Sequence, residues 1–452
     1  MMKNIYYFFL VSLVSLVSCD SFLEVKPNQK MTVPSTLKDC DALLDDYYTM
    51  NNSYPVVGEI ASDHYYLTST SFEAITQNAD RDSYLWNSQT DIATENWASC
   101  YKVVFNANQV LEVLQDINRE GDVSHYDRVK GEALFFRAFA YMQLANLFTL
   151  PYNTSTADQD LGLVLRQTAS VDEQSKRSSL KQTYNQILED LTASSLLLPM
   201  SSNYKTRPTK MAAYAAMSRL GLIIGDYNLT VSSSKEVLNQ NLVLIDYNTL
   251  NINSDAPFSR FNSETLFHAT TLTSDCLDPN VAYVDSTLYR SYMEMDLRQV
   301  LYFRNVEPDV YAFKGKYDGE NNYTSFAGLV LDEVYFNLAE AYAHQNKIDA
   351  GMDQLNTLLI TRWKSSEFVK FTALNKEEAL SKILEERRKS LIMRNVRWMD
   401  IKRLSLIPLL GKPLIRMMDG KRYDLSIGDL RYAFLIPSGV VGLAPEITQN
   451  IR

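Results

Sequence analysis

The sequence predicts a mainly α-helical fold, a scaffold of paired helices interrupted by irregular insertions. Three observations carry that expectation. Long stretches place apolar residues at spacings of three and four, the mark of helices with one buried face. Ala and Gly recur at interior positions where neighbouring helices have to approach closely. Two Tyr-rich stretches, residues 50–94 and 250–330, lack a sustained period, and loops of that length are usually functional. The 452 residues suffice for one large α-rich unit or two ordinary cores.

The elements follow in order. Leu37, Cys40, Leu43, Leu44 and Tyr47 share one face of a helix over residues 36–48, with Thr36 or Ser35 as its N-cap. Residues 50–94 read as a polar, aromatic loop containing Tyr54, Tyr65, Tyr66, Tyr84 and Trp86. Trp97, Tyr101, Val104, Ala107, Asn108, Leu111 and Leu114 mark the next helix. After Gly121, a stripe of Val129, Ala133, Phe136, Ala140, Leu144 and Leu147 runs until Pro151 stops it. Residues 180–198 form a helix ended by Pro199, and residues 209–224 one ended by Gly225. The insertion over 250–330 holds candidate strands at residues 265–271 and 300–305. A single helix is expected from Lys376 to about Leu404, with Glu385-Glu386-Arg387-Arg388 on its exposed side. A looser tail follows.

Several helices share a theme. Tyr335, Leu338-Ala339 and Tyr342 fit the spacing of a tetratricopeptide first helix, with Gly351 and Leu355 at the matching positions of the second. Tyr214, Met217-Ser218 and Gly221, followed by Gly225 and Tyr227, give a worn copy; Leu134, Ala138 and Tyr141 give another. The copies recur at irregular intervals, so the pairs are tetratricopeptide-like and separated by insertions.

The N-terminus carries a localisation signal. Lys3 precedes an apolar run from Ile5 to Val17, the layout of a secretory leader and too short for a comfortable membrane span. Leu16-Val17-Ser18-Cys19 resembles a bacterial lipobox, in which Cys19 is acylated and becomes the first mature residue. Residues 1–18 are then a signal peptide and residues 19–452 the mature chain. Several acyl chains, palmitate among them, at about 0.8 kcal/mol per buried CH₂ make a stable anchor.

Composition and motifs narrow the function. A net charge of −10 argues against nucleic acid and against adhesion through a basic face. Cys40, Cys100 and Cys276 are odd in number and widely spaced; they read as buried thiols, with one disulfide among them the alternative. His64, His125, His268 and His344 are dispersed, with no metal-binding pair, and no phosphate loop, nucleophile elbow or dinucleotide fingerprint is present. Asp158 and Asp160 begin a calcium-loop pattern that lacks its later Gly and Glu, so they read as a polar turn. No catalytic residue, metal ligand or cofactor is assigned. A surface glycoside hydrolase stays open as an alternative, because its two carboxylates need no local spacing.

Taken together, the motifs resemble the SusD/RagB family of Bacteroidetes outer-membrane lipoproteins. The resemblance rests on Cys19-Asp20-Ser21-Phe22-Leu23-Glu24-Val25 with Pro27, on Gly131-Glu132-Ala133 with Arg137-Ala138 and Pro151, and on Arg207-Pro208-Thr209-Lys210. It continues through Tyr335 with Leu338-Ala339-Glu340-Ala341, Glu386-Arg387-Arg388, Arg397-Trp398 with Asp400 and Lys402-Arg403, and closes at Leu435-Ile436-Pro437 and Gln449-Asn450. It implies one SusD-like domain over residues 19–452, with an N-terminal part to residue 230 and a C-terminal part from residue 231. It also implies a non-enzymatic, cell-surface role: capture of an oligosaccharide, or of a peptide, for a partner SusC-type TonB-dependent transporter. The chain is shorter than many members and poor in Trp, which speaks against a starch-like ligand. The shared residues Glu132, Arg137, Glu340, Arg387, Arg397, Trp398 and Asp400 read as architectural.

A sugar site needs flat rings for the apolar sugar face and polar groups for the hydroxyls. The two aperiodic insertions supply both. Candidate ligand residues are Asp63, Tyr65, Tyr66, Tyr84, Trp86 and Asn87 from the first, and Tyr283, Tyr289 and Arg290 from the second.

Overall fold

The helices of the scaffold form where the apolar spacing and the capping residues agree. In the computed structural model, which describes residues 34–170, 172–319 and 323–452, they are α1 (Leu37–Leu44), α2 (Glu95–Val113), α3 (Val123–Phe148), α4 (Leu180–Leu197) and α5 (Lys210–Ile224). Then come α6 (Tyr227–Leu238), α7 (Leu331–His344), α8 (Ile348–Leu359), α9 (Lys376–Ser390) and α10 (Arg397–Leu404). Thr36 closes a capping box with Asp39 at α1, and Ser179 one with Gln182 at α4. The Thr209 hydroxyl accepts from the Ala212 amide at α5. Each such cap is worth about 1 kcal/mol. The signal run and Cys19 lie outside the described residues.

From α2 to α8 each helix packs on the next, and α9 returns against α7. Small residues permit this. Ala133, Ala138, Ala140 and Ala145 of α3 are fully buried, and α3 is enclosed on nearly every side. At Gly221 a Cβ would collide with the Thr230 hydroxyl across the α5–α6 turn, and at Gly351 it would sit 2.9 Å from the Ala339 carbonyl oxygen. These are two of the positions that match the tetratricopeptide pattern. Gly225 ends α5 with φ +73, a conformation that costs a Cβ-bearing residue about 1 kcal/mol or more. Residues Thr36–Arg452 form one unit.

Buried ion pairs fasten the scaffold. Arg137 on α3 donates to both Asp190 carboxylate oxygens on α4 at 2.8 and 2.7 Å. Glu132 receives Arg207 at 2.5 Å and Arg128 at 3.1 Å. Arg387 on α9 donates to Asp400 on α10 at 2.8 Å and to Asn337 on α7 at 2.8 Å. Arg403 joins the other Asp400 oxygen at 2.8 Å and pairs with Glu340. Arg397 reaches back to Asp63, and Trp398, 1 % exposed, packs near Tyr432 and Phe434. Lys402 is buried and donates to the Asn146 and Thr149 carbonyls at the end of α3. Burial pushes its ammonium pKa down to about 7.

Four expectations need correction. The expected helix over 376–404 divides at residue 390. Met393 and Asn395 both take φ +55, so the chain leaves the helix and turns back on Glu59 and Pro55. Within α9, Glu386 and Arg387 are buried rather than solvated; Glu386 pairs with Arg298 and Lys389, and of the four residues 385–388 only Glu385 is exposed. Residues 50–94 are not a loop but short helices (Val57–Ile60, Ser69–Ala74, Asn78–Tyr84) around the strand β1 (Tyr65–Tyr66). Elements of four to seven residues are too brief for a periodic signal. Finally, residues 300–302 end a short helix, Leu297–Tyr302, and the strand starts at Phe303.

The remaining strands are β2 (Leu161–Val164), β3 (Arg177–Ser179), β4 (Thr265–Phe267), β5 (Tyr283–Val284), β6 (Phe303–Glu307), β7 (Val310–Phe313), β8 (Leu329–Val330), β9 (Leu414–Met418) and β10 (Lys421–Leu425). They make one four-stranded sheet, ordered β1-β5-β7-β6, and the pairs β2-β3, β4-β8 and β9-β10. Cys40, Cys100 and Cys276 are buried free thiols.

Candidate functional site

The four-stranded sheet joins the two aromatic insertions. β1 runs antiparallel to β5 with Tyr65 opposite Val284 and Tyr66 opposite Tyr283. Because side chains alternate along a strand, one row points into the core and the next points out. Tyr65 and Val284 are each 3 % exposed. Tyr66 and Tyr283 lie half-buried on the outward side, their ring centroids 5.8 Å apart and their planes tilted by 53°. Ala312 on β7, itself covered, and Arg304 on β6 continue the same cross-strand row. The Arg304 guanidinium donates to the Pro279 carbonyl and to Asn280 Oδ1, each at 3.0 Å. Two rings, a guanidinium and an amide therefore share one outward strip. On the other face of β7, which alternation gives to Tyr311, Tyr289 stacks on that ring with centroids 3.5 Å apart, and burial followed by contact with Tyr311 drives its phenol pKa upward. Arg290 ends the short helix Ser286–Arg290 and is exposed.

The inward row behaves differently. Arg416 of β9 reaches beneath β1 and lies 3.6 Å from the ring centroid of Tyr84, 4.5 Å from that of Trp86 and 5.7 Å from that of Tyr65. Its guanidinium also donates to the Tyr84 and Ser62 carbonyls. Trp86 is 2 % exposed, takes φ +54 and donates its indole N–H to the Ala61 carbonyl at 2.9 Å. The Tyr65 hydroxyl donates to the Ile60 carbonyl, and the Tyr84 hydroxyl accepts the Leu67 amide, both at 2.9 Å. Tyr65, Tyr84 and Trp86, expected on the binding surface, are core residues whose faces are already covered.

Asp63 is likewise engaged. Arg397 donates to its two oxygens at 2.6 and 2.8 Å, and Arg388 lies 3.3 Å away. Burial pushes its carboxyl pKa up, but Arg397 and Arg388 outweigh this and hold it well below the usual carboxylate range. The neighbouring His64 is buried against Glu59 at 2.9 Å. This cluster ties the first insertion to α9 and α10.

A second surface feature lies on the far side of the Arg416 stack. An open cleft of about 650 Å³ runs between the helix Asn78–Tyr84 with residues 85–88 and the hairpin β9-β10. Phe72, Arg81, Asp82, Leu85, Asn87, Tyr423 and one edge of Trp86 line it. Asn87 is exposed, and its amide donates to Asp82 at 3.2 Å. Lys421 sits 4.8 Å from the Tyr423 ring centroid. Phe72 touches Tyr84, and Tyr84 touches Tyr65, so the cleft wall and the sheet are built on one stack. The sequence reading missed Tyr423 because it took residues 405–452 as a tail. The signal was present: Asp419-Gly420 divides two five-residue runs, and both residues take positive φ, as a two-residue hairpin turn requires. Among the described residues there is no group of three or more His, Cys, Asp or Glu placed to hold a metal ion, and no helix is long and apolar enough to cross a membrane.

Comparisons with known proteins agree with this architecture. A family model described as SusD-like, starch-binding and associating with the outer membrane matches residues 21–222. A curated SusD-like protein of Formosa agariphila is 26 % identical over 144 residues, which is 32 % of this chain and 26 % of that relative; the match thus spans about a quarter of the relative's length. Among solved structures, a putative sugar-binding protein from Bacteroides vulgatus superposes with a TM-score of 0.74 at 20 % identity, covering 93 % of this chain and 99 % of that one. A SusD superfamily protein from Bacteroides thetaiotaomicron gives 0.73 at 21 % identity, covering 92 % and 100 %. Surface glycan-binding protein A from Bacteroides uniformis gives 0.70 at 14 % identity, covering 92 % and 99 %. The SusD-like family model thus matches the N-terminal part of this chain, residues 21–222, and the chain shares the helical fold of solved SusD superfamily proteins along nearly its whole length.

Proposed function

We propose that this protein is a cell-surface glycan-binding lipoprotein, anchored to the outer membrane through acylated Cys19, that delivers oligosaccharide to a SusC-type TonB-dependent transporter. Residues 1–18 are then the signal peptide and residues 19–452 one SusD-like domain. The observation that carries the binding reading is the register of Tyr66 against Tyr283, which sets two rings side by side on an outward row with Arg304 and Asn280. Rings of that kind stack on the apolar face of a sugar, and the flanking guanidinium and amide pair with hydroxyls. Holding both rings on a hydrogen-bonded sheet removes part of the ordering cost of binding. The family description and the named sugar-binding structural relatives support the same ligand class. The role needs no bond-breaking residue, and Asp63 and Asp285 both face Arg388.

An oligosaccharide screen by titration calorimetry tests the reading. Tyr66→Ala and Tyr283→Ala should each weaken binding about tenfold. Both rings lie on the outward row, outside the packed core, so the melting temperature should hold. Unchanged affinity, selective binding of peptides, or hydrolysis of the bound saccharide would each overturn it.

A further inference from the structure

We propose that the cleft beside Tyr423 binds the anionic groups of an acidic saccharide, one carrying carboxylates or sulfates on its sugars. The inference rests on the glycan-binding reading and names the class of glycan. It starts from an anomaly of charge. The chain has a net charge of −10, yet the cleft of about 650 Å³ gathers Arg81, Lys421 and Arg431 against a single lining acid, Asp82.

Arg431 is neutralised by Asp429 at 2.6 Å and holds the Trp86 carbonyl at 3.0 Å, so it belongs to the wall. Arg81 and Lys421 do not. Arg81 bonds to the Asn78 side chain and Lys421 rests over the Tyr423 ring; among the described residues, neither forms an ion pair with a carboxylate. Asp82 is occupied by the Asn87 amide. Behind the wall, Arg452 donates to the Asn87 and Arg431 carbonyls at 3.3 and 3.2 Å. Burial, and then repulsion from Arg431, pushes its pKa down to about 10.

A concave wall focuses the field of such cations toward whatever enters. The Arg81 fork suits the paired oxygens of a carboxylate or sulfate, and Lys421 adds a mobile point charge. Phe72 and Tyr423 offer ring surface for the sugar that bears the anion. A neutral saccharide would use the rings and leave both cations to water.

Titration calorimetry on the purified chain compares an oligogalacturonate, a sulfated galactan oligosaccharide and a neutral maltooligosaccharide at about 50 and about 300 mM salt. At least one acidic ligand should bind more tightly than the neutral one and weaken several-fold at the higher salt; which one separates carboxylate from sulfate recognition. The double variant R81Q/K421Q should lose about tenfold in affinity for that ligand. Its melting temperature and its affinity for neutral sugar should not change. Neutral binding equal to or tighter than acidic binding, or full acidic affinity in the double variant, overturns the inference alone. Failure of every saccharide to bind overturns the glycan reading and this inference with it.

Discussion

Trp86 shows how little of a side chain's role is set by its identity. The indole is the largest ring in the first insertion, yet its backbone is left-handed, its N–H is donated to Ala61 and one face lies against Arg416. Trp86→Ala would open a cavity beneath the hairpin and leave the guanidinium of Arg416 less covered. The expected cost is about 3–5 kcal/mol, read from the midpoint of urea unfolding. A variant as stable as the parent would return Trp86 to the surface. Tyr65 and Tyr66 make the same point at closer range. Composition marked both as candidate sugar contacts, and only the register of a two-residue strand separates core from surface. No periodicity can be read from two residues, so that distinction was not legible in the sequence. Asp63 looked like a free acid for the same reason: its partners Arg388 and Arg397 lie more than three hundred residues away in the chain.

Among the elements, the long helices were legible and the short ones were not. Helices α2 to α5 carry enough turns for the apolar stripe and the caps to agree, and their bounds fall within a few residues of expectation. The break between α9 and α10 was hidden because Leu391 to Val396 keeps an apolar content that suits a helix. What opens it is long-range: the Glu59 carboxylate takes the Asn395 amide, and Arg394 is drawn to Asp332. Asp400 holds the two helices together across the break by accepting from Arg387 and Arg403. Asp400→Asn would leave two buried guanidinium groups short of charge, at an expected cost of about 3–5 kcal/mol. Thermal unfolding measures it, and a shift of less than about 2 °C would mean the pairs contribute little.

For the whole molecule, the buried charges predict how stability falls with acid. Burial and then Arg260 push the pKa of His268 down to about 3, below its ordinary value near 6.5. The unfolded chain therefore binds a proton there that the folded chain refuses, and stability is lost as pH falls from about 6.5 toward 3. Asp400 and Glu340 act in the same direction lower on the scale. Their desolvation is outweighed by Arg387 and Arg403, so their carboxyls sit below the usual range. Their contribution is full above about pH 4 and is lost as pH falls through the folded value. Denaturant unfolding stepped downward from pH 7, below the window in which the depressed Lys402 ammonium acts, should show a decline that sets in near pH 6.5, and His268→Phe should remove that upper part while leaving the lower. An identical profile in the variant would assign the early loss elsewhere.

The pairing of β1 with β5 also bears on how such a molecule acquires new specificity. Tyr66 owes its position to Tyr283 on a distant segment, and the strand beneath it owes its position to Arg416 on a third. Transplanting residues 54–90 alone from a relative would bring the rings without the strand that aligns them or the guanidinium that supports them. Residues 54–90, 280–313 and 414–432 form one exchangeable cassette, discontinuous in the gene and continuous in space. Recombination that splits the cassette would lose both surfaces at once; divergence by substitution at outward positions such as Tyr66, Tyr283 and Tyr423 leaves the mount intact.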